Sequence, residues 1–257
     1  PVGPKPDNRD AISIGSSRRE VYNVLVDHCS ASWTMDETVQ VWYDARDITF
    51  QWCVISEALN DSLHQEGAHG YGVIIGSRSG KRVTMHHCLL AHHDRRHPRI
   101  APKHGDIRSI LDFRNNVIYN HGPSTFGIIK GKTCVNYIGN TIKPGPNSGQ
   151  RPEDQLDMSG EAIYLEDNVL TWRQSGLTKP AADLIASEPF AAPTVMTQPA
   201  REAYQDVLRF AGATAPVRDV VDERVIEETR NGTGAFIDSQ WDVGGWPEYA
   251  SAVAPCD

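Results

Sequence analysis

The chain has no run of apolar residues long enough to cross a membrane as a helix. It has no basic excess either: 25 Lys and Arg stand against 33 Asp and Glu, a formal net charge of −8. Neither a membrane nor nucleic acid is therefore expected as a partner. No Cys-x-x-Cys pair occurs, so cysteine spacing gives a zinc site no support. The chain has 5 cysteines, and buried free thiols are favoured over disulfides. No leader-like segment is visible and the first residue is Pro1, consistent with a processed protein that is secreted or periplasmic.

What is present is a repeating frame. An alternating apolar strand runs into Cys or Asn at Cys29, Cys53, Cys88, Asn116, Asn140 and Asn168, at intervals of 24, 35, 28, 24 and 28 residues. Five residues before each stand Val24, Ile48, Val83, Leu111, Val135 and Ile163. Three before stand Val26, Phe50, Met85, Phe113, Tyr137 and Leu165, and two after stand Ala31, Ile55, Leu90, Ile118, Ile142 and Leu170. Positions two apart on a strand share a face. Three aligned apolar columns mean strands stacked on their counterparts in successive coils.

The fold class this predicts is all-β, a parallel β-helix. Further strands at 11–14, 38–42, 72–76 and 126–130 bring the count to about three per coil. Asn in the frame's last position is expected to supply the left-handed bend and to bond its neighbours up the stack. The longest interval carries an insertion around 60–69, and such insertions often collect on the binding face.

The frame stops near residue 172, which divides a β-helix over 1–172 from a C-terminal extension over 173–257. A helix is predicted from near Thr197 to Gly212, with Ala203, Val207, Leu208 and Ala211 as its apolar stripe. A second is predicted over 217–230, with Val221, Val225 and Ile226 inward and Asn231-Gly232 as its stop. This extension is expected to pack along the solenoid as a strap. The apolar columns begin early, so a preceding segment or a second chain is expected over the first coil.

Two clusters carry candidate chemistry. The outward column Asp27, Gln51, His86, Arg114, Ile138 and Glu166 lies close in sequence to His92, His93, Arg95, Arg96, His97 and Arg99. Together they predict one largely cationic face suited to an anionic ligand. The acidic set Asn8, Asp10, Asp36, Glu37 and Gln40 comes from equivalent places in adjacent coils, and hard oxygen ligands so placed suit Ca²⁺.

Here the residues carry a resemblance. Val24-Leu25-Val26-Asp27-His28-Cys29-Ser30 resembles the WIDH strand motif of pectate lyases in polysaccharide lyase family 1. Arg96-His97-Pro98 resembles the start of that family's RxPxxR motif, after a VTxHHN-like strand at 83–88. Asn115-Asn116-Val117-Ile118-Tyr119 resembles the strand that follows. The similarity covers roughly residues 7–145, and the tail over 199–247 is similar to the C-terminal extension of some of these lyases.

The resemblance implies a right-handed β-helix that cleaves an acidic, uronate-containing polysaccharide by β-elimination, with Ca²⁺ as cofactor. It implies Arg96 as the base, with Arg99 and His86 as further catalytic residues. Arg114, His64, His69, Tyr71, His93 and Lys103 are the expected substrate contacts, and Asp10, Asp36, Asn8 and Gln40 the metal ligands. The chain departs from the family in three places. The last Arg of RxPxxR falls on Ala101, where Arg99 or Lys103 could substitute. The substrate-binding Lys is replaced by Tyr71. Two of the four calcium positions are amides, which leaves His or Tyr open as the base. The rival readings are a non-catalytic carbohydrate-binding β-helix and a glycoside hydrolase. The hydrolase would need an Asp/Glu pair that the outward columns near Arg96 lack.

Overall fold

The computed structural model describes residues 9–77, 81–102, 108–123, 127–148, 156–171 and 182–247. Six coils follow one another. The first two are β1 (Ile12–Ile14), β2 (Val21–Asp27), β3 (Ser30–Ser32) and β4 (Glu37–Val41), β5 (Ala45–Gln51), β6 (Val54–Ser56). The next two are β7 (Tyr71–Ser77), β8 (Arg82–His86), β9 (Leu89–Ala91) and β10 (Arg99–Pro102), β11 (Ser109–Arg114), β12 (Val117–Tyr119). The last two are β13 (Gly127–Lys130), β14 (Thr133–Ile138), β15 (Thr141–Lys143) and β16 (Leu156–Ser159), β17 (Ala162–Glu166), β18 (Val169–Leu170). Every third strand joins one parallel sheet, giving three sheets of six. Sheet A holds β1, β4, β7, β10, β13 and β16; sheet B starts from β2 and sheet C from β3. The architecture is the expected parallel β-helix.

The apolar columns are ladders. Val24, Ile48, Val83, Leu111, Val135 and Ile163 stand in register across sheet B, as do Ala31, Ile55, Leu90, Ile118, Ile142 and Leu170 across sheet C. They meet inside the solenoid with Val39, Val73, Ile100 and Ile129 of sheet A. Each fully buried side chain of this size contributes about 2 kcal/mol.

The bend between sheets B and C departs from the expected assignment. The left-handed residue is the one before the frame's end: His28, Trp52, His87, Asn115, Gly139 and Asp167 have φ from 48° to 63°. The Cys or Asn that follows turns inward. Asn140 Oδ1 accepts from Asn116 N and Nδ2 at 2.9 and 3.2 Å, and Asn140 Nδ2 donates to Phe113 O and Asn168 Oδ1, both at 3.0 Å. Among the described residues Cys29, Cys53, Cys88 and Cys134 are free thiols.

The middle of sheet C is apolar on both faces where the C-terminal helices cover it. α1 (Ala200–Phe210) and α2 (Val220–Asn231) bring Val207, Leu208, Val225 and Ile226 onto Val54, Leu89, Val117 and Tyr119. Both helices start later than the pattern predicts. Gln198 is held extended, its N–H donating to Asn115 Oδ1 at 2.9 Å. Asp219 caps α2 by accepting from the N–H groups of Val221 and Asp222. Val221 is only half-buried, while Asp222 turns inward in its place. Gly232, at φ 76°, closes α2 in the left-handed conformation that glycine accepts most readily.

Candidate active site

The outer face of sheet A carries a cleft of about 740 Å³. Its floor is the outward column Ser13, Gln40, Ile74 and Arg99, in register from β1 to β10. Asp36 and Glu37 enter it from the start of β4, Asp10 from just before β1 and Arg96 from just before β10. One wall is the insertion, whose residues His64, Glu66 and His69 fold back over sheet A. The insertion is pinned at its base, where Asn60 N donates to Ile237 O and His69 N donates to Asn60 O, each at 2.7 Å.

Two sets of charge meet in this cleft. Oxygens of Asp10, Asp36 and Glu37 lie within 4.8 Å of one another. Burial first, and then the Asp36 carboxylate, push the Asp10 carboxyl up to about 7. Gln40 Nε2 donates to Asp10 Oδ2 at 2.9 Å, while Asp10 Oδ1 is buried and makes no hydrogen bond among the described residues. An unsatisfied buried carboxylate oxygen beside two further carboxylates fits a hard divalent cation. Three protein carboxylates would fill part of the six to eight oxygen positions that Ca²⁺ takes.

Opposite stands Arg96. Its backbone is left-handed, φ 72°, and its guanidinium lies 4.1 Å above the Tyr71 ring while pairing with the buried Glu37 carboxylate. Burial, then the neighbouring Arg99, bring the Arg96 guanidinium down to about 10, with the Asp36 carboxylate acting against them. His69 joins the two sets: its Nε2 is 3.1 Å from Asp36 Oδ1, and its ring packs 3.9 Å from Tyr71. Burial raises the Tyr71 hydroxyl above its ordinary value.

The cleft thus gathers Arg96, Arg99, His64, His69, Tyr71, Asp10, Asp36 and Gln40 of the sequence-predicted residues. Asn8 and Lys103 lie outside the described residues. His86 and Arg114 do not belong to it. They sit on the outer face of sheet B, in register with each other, so the single cationic face is in fact two. His86 hydrogen-bonds His87 Nδ1 at 2.9 Å and Gln51 at 3.1 Å, and burial followed by His87 lowers it to about 4. Arg114 donates to Asp112 at 2.7 Å. His93 is fully buried behind β7, 3.2 Å from Thr38 Oγ1, and burial lowers it to about 3. A residue so enclosed cannot touch a polymer.

Glu37 is the important residue missing from the predicted ligand set. Its signal was its place one step after Asp36 in the same acidic cluster. It also corrects the expectation that no carboxylate cluster lies near Arg96, because it pairs with that residue directly.

Known proteins share sequence and fold with this chain. The chain is 27% identical to a probable pectate lyase C of Aspergillus flavus over 97% of its own length and 58% of the relative's. It is 28% identical to one of Neosartorya fischeri over 92% and 55%. The chain therefore spans little more than half the length of these curated relatives. No protein-family profile matches it. Among solved structures, a pectate lyase bound to a hexasaccharide aligns with TM-score 0.53 and 17% identity over 74% of this chain and 50% of that one. A Bacillus subtilis pectate lyase variant aligns with TM-score 0.50 at the same identity and coverage. These structural likenesses concern the fold. In sequence the chain is thus similar to pectate lyases, and in fold it shares their parallel β-helix.

Proposed function

We propose that the chain is a secreted polysaccharide lyase that cleaves a uronate-containing polymer by β-elimination in the sheet A cleft. The observation that carries this is the meeting of Arg96 and Arg99, from the fourth coil, with Asp10, Asp36 and Glu37, from the first two, in one cleft. Cations attract the polymer's carboxylates, and the carboxylate set suits a cation that would lie against the sugar acid. Such a cation, when bound, neutralises the uronate carboxylate and so acidifies the C5 proton. Arg96 removes that proton as its neutral form and the C4 oxygen departs, leaving a C4–C5 double bond. Burial and Arg99 favour the neutral form by lowering Arg96 to about 10. Arg99 and Tyr71 flank it as substrate contacts. A polymer of this kind is met outside the cytoplasm, which agrees with secretion.

A second reading has its own support. Asp10, raised to about 7, stands beside Asp36, and a carboxyl group that keeps its proton near neutral pH is the general acid a glycoside hydrolase needs. An absorbance assay for unsaturated uronate on pectate, alginate, ulvan and glucuronan separates the two, run with and without chelator. New ultraviolet absorbance, lost in Arg96→Ala, is expected. New reducing ends without it would favour the hydrolase. Binding without cleavage would leave a carbohydrate-binding β-helix.

A further inference from the structure

The wall of the cleft contains a second donor set, of which the lyase reading uses only Asp36. One donor atom each of Asp36, His64 and His69 lies within 4.8 Å of the others. The His64 and His69 rings stack at 3.7 Å with 12° between their planes, so the two rings are close enough to serve one ion once one of them swings out of the stack. His69 is held from both ends: Nε2 is 3.1 Å from Asp36 Oδ1 and Nδ1 is 3.8 Å from Glu66 Oε2. A carboxylate behind a histidine fixes its ring and raises its basicity as a ligand. The segment is also preorganised. Besides the anchor through Asn60, Asp61 N donates to Asp238 Oδ1 at 2.8 Å and Gly67 N to His64 O at 3.1 Å. His64 Nδ1 accepts a hydrogen bond from Glu66 N at 3.2 Å, a weak contact that an ion binding Nδ1 would displace.

Stacked imidazoles are unusual ligands for calcium. Ca²⁺ selects oxygen, while imidazole selects borderline ions such as Zn²⁺, Co²⁺ and Ni²⁺. Ligands about 2.0–2.1 Å from a tetrahedral Zn²⁺ stand roughly 3.4 Å apart, a spacing this set reaches when one imidazole turns out of the stack to face the ion. Three protein ligands leave one position open toward the cleft, the pattern of a reactive rather than a structural site.

We infer that Asp36, His64 and His69 form an imidazole–carboxylate site for a borderline divalent ion such as Zn²⁺ or Co²⁺, next to the all-oxygen set of Asp10, Asp36 and Glu37. Asp36 belongs to both sets and links them. The site goes beyond the lyase reading and does not depend on it, since its ligands are the same whatever reaction the cleft performs.

The test is titration of Co²⁺ into the full, chelator-stripped chain, followed by its visible d–d absorption. One Co²⁺ per chain is expected, displaced by Zn²⁺ but not by millimolar Ca²⁺. His69→Gln and His64→Gln should each weaken Co²⁺ binding by about 100-fold, at the upper end of what disturbing a metal site costs. Asp10→Asn should change it by less than about tenfold. Circular dichroism melts of each variant show that the fold is retained. Absent d–d bands, bands unchanged in both histidine variants, or displacement by Ca²⁺ as readily as by Zn²⁺ would each overturn the inference. Lyase activity without Co²⁺ binding sinks this site alone, and Co²⁺ binding without activity on any polymer sinks the lyase reading alone.

Discussion

Two stacks in this molecule obey the same geometry with opposite results. Inside the corner between sheets B and C, Asn116, Asn140 and Asn168 lie in adjacent coils, and each amide gives and receives hydrogen bonds. On sheet A, Asp10, Asp36 and Glu37 also come from adjacent coils, and they leave a buried oxygen unbonded. Coils repeat about every 4.8 Å. At that spacing neutral amides complement one another and carboxylates repel. The first stack stabilises the solenoid by itself. The second keeps a cost at Asp10 even with Arg96 paired to Glu37, and a cost kept in one place marks a site where a ligand is expected.

The comparison breaks most clearly at Asn140. Its side chain makes four hydrogen bonds, each worth about 1 kcal/mol net. Asn140→Ala should therefore destabilise by about 4 kcal/mol in denaturant unfolding. A loss below about 1 kcal/mol would mean that the ladder is ornamental. On the other stack the largest expected effect is on rate. Arg96→Ala should lower unsaturated-uronate production by about 100-fold, or about 2.7 kcal/mol of barrier. It also leaves Glu37 without its partner, so the variant's melting should be followed alongside its rate.

The same residue gives the pH profile. Arg96 falls to about 10, and the proposed base is its neutral form. Below that value the neutral fraction grows about tenfold per pH unit, from titration alone. The initial rate should therefore climb through pH 7, 8 and 9 and level off near 10. A bell centred near pH 5 would instead point to carboxylates as the working groups.

The solenoid was legible because its signal is neutral and repeated. Val24 to Ile163 recur at one frame position, and no other topology aligns them. Strand β10 was not legible, since Pro98, Arg99 and Pro102 interrupt the alternation and only Ile100 turns into the core. In the site, the Asp10–Gln40 contact could be read from stacking alone. The split between His86 and Arg96 could not. They are close in sequence, but the chain between them passes through β9 and two corners, at His87 and His92, both left-handed. Sequence distance measures nothing across a corner. The pairing of Arg96 with Glu37 was hidden for a related reason, because it depends on a left-handed backbone at Arg96 itself.

Asp10 sharpens the contrast from the stability side. Its carboxyl sits near 7 in the fold against an ordinary 3.8. Between those values the native state keeps a proton that the unfolded chain has released, so stability falls as pH rises from about 4 to 7. The full shift would correspond to about 4 kcal/mol, but Asp10 is only half-buried and solvent screening reduces this to about 1 kcal/mol. Asp10→Asn should be more stable than the parent by about that amount at pH 7 and equal to it at pH 4. Calorimetry at both values checks this. An equal gain at both would show that packing rather than charge is responsible. If the cleft takes a cation, the same variant should bind it more weakly, which sets stability against function at one residue.

The smallest effect is the most diagnostic of which face works. His86 stands on sheet B with both ring nitrogens engaged, by His87 and by Gln51. Burial lowers it to about 4, so it is neutral at any pH where Arg96 could act. His86→Gln keeps a hydrogen-bonding side chain at this position and should change uronate cleavage by less than about twofold. It should also leave the alkaline rise of the pH profile in place. A loss approaching that of Arg96→Ala would move the chemistry to sheet B, and the group of His86, Arg114 and Thr197 would become the site instead of the carboxylate–arginine cleft.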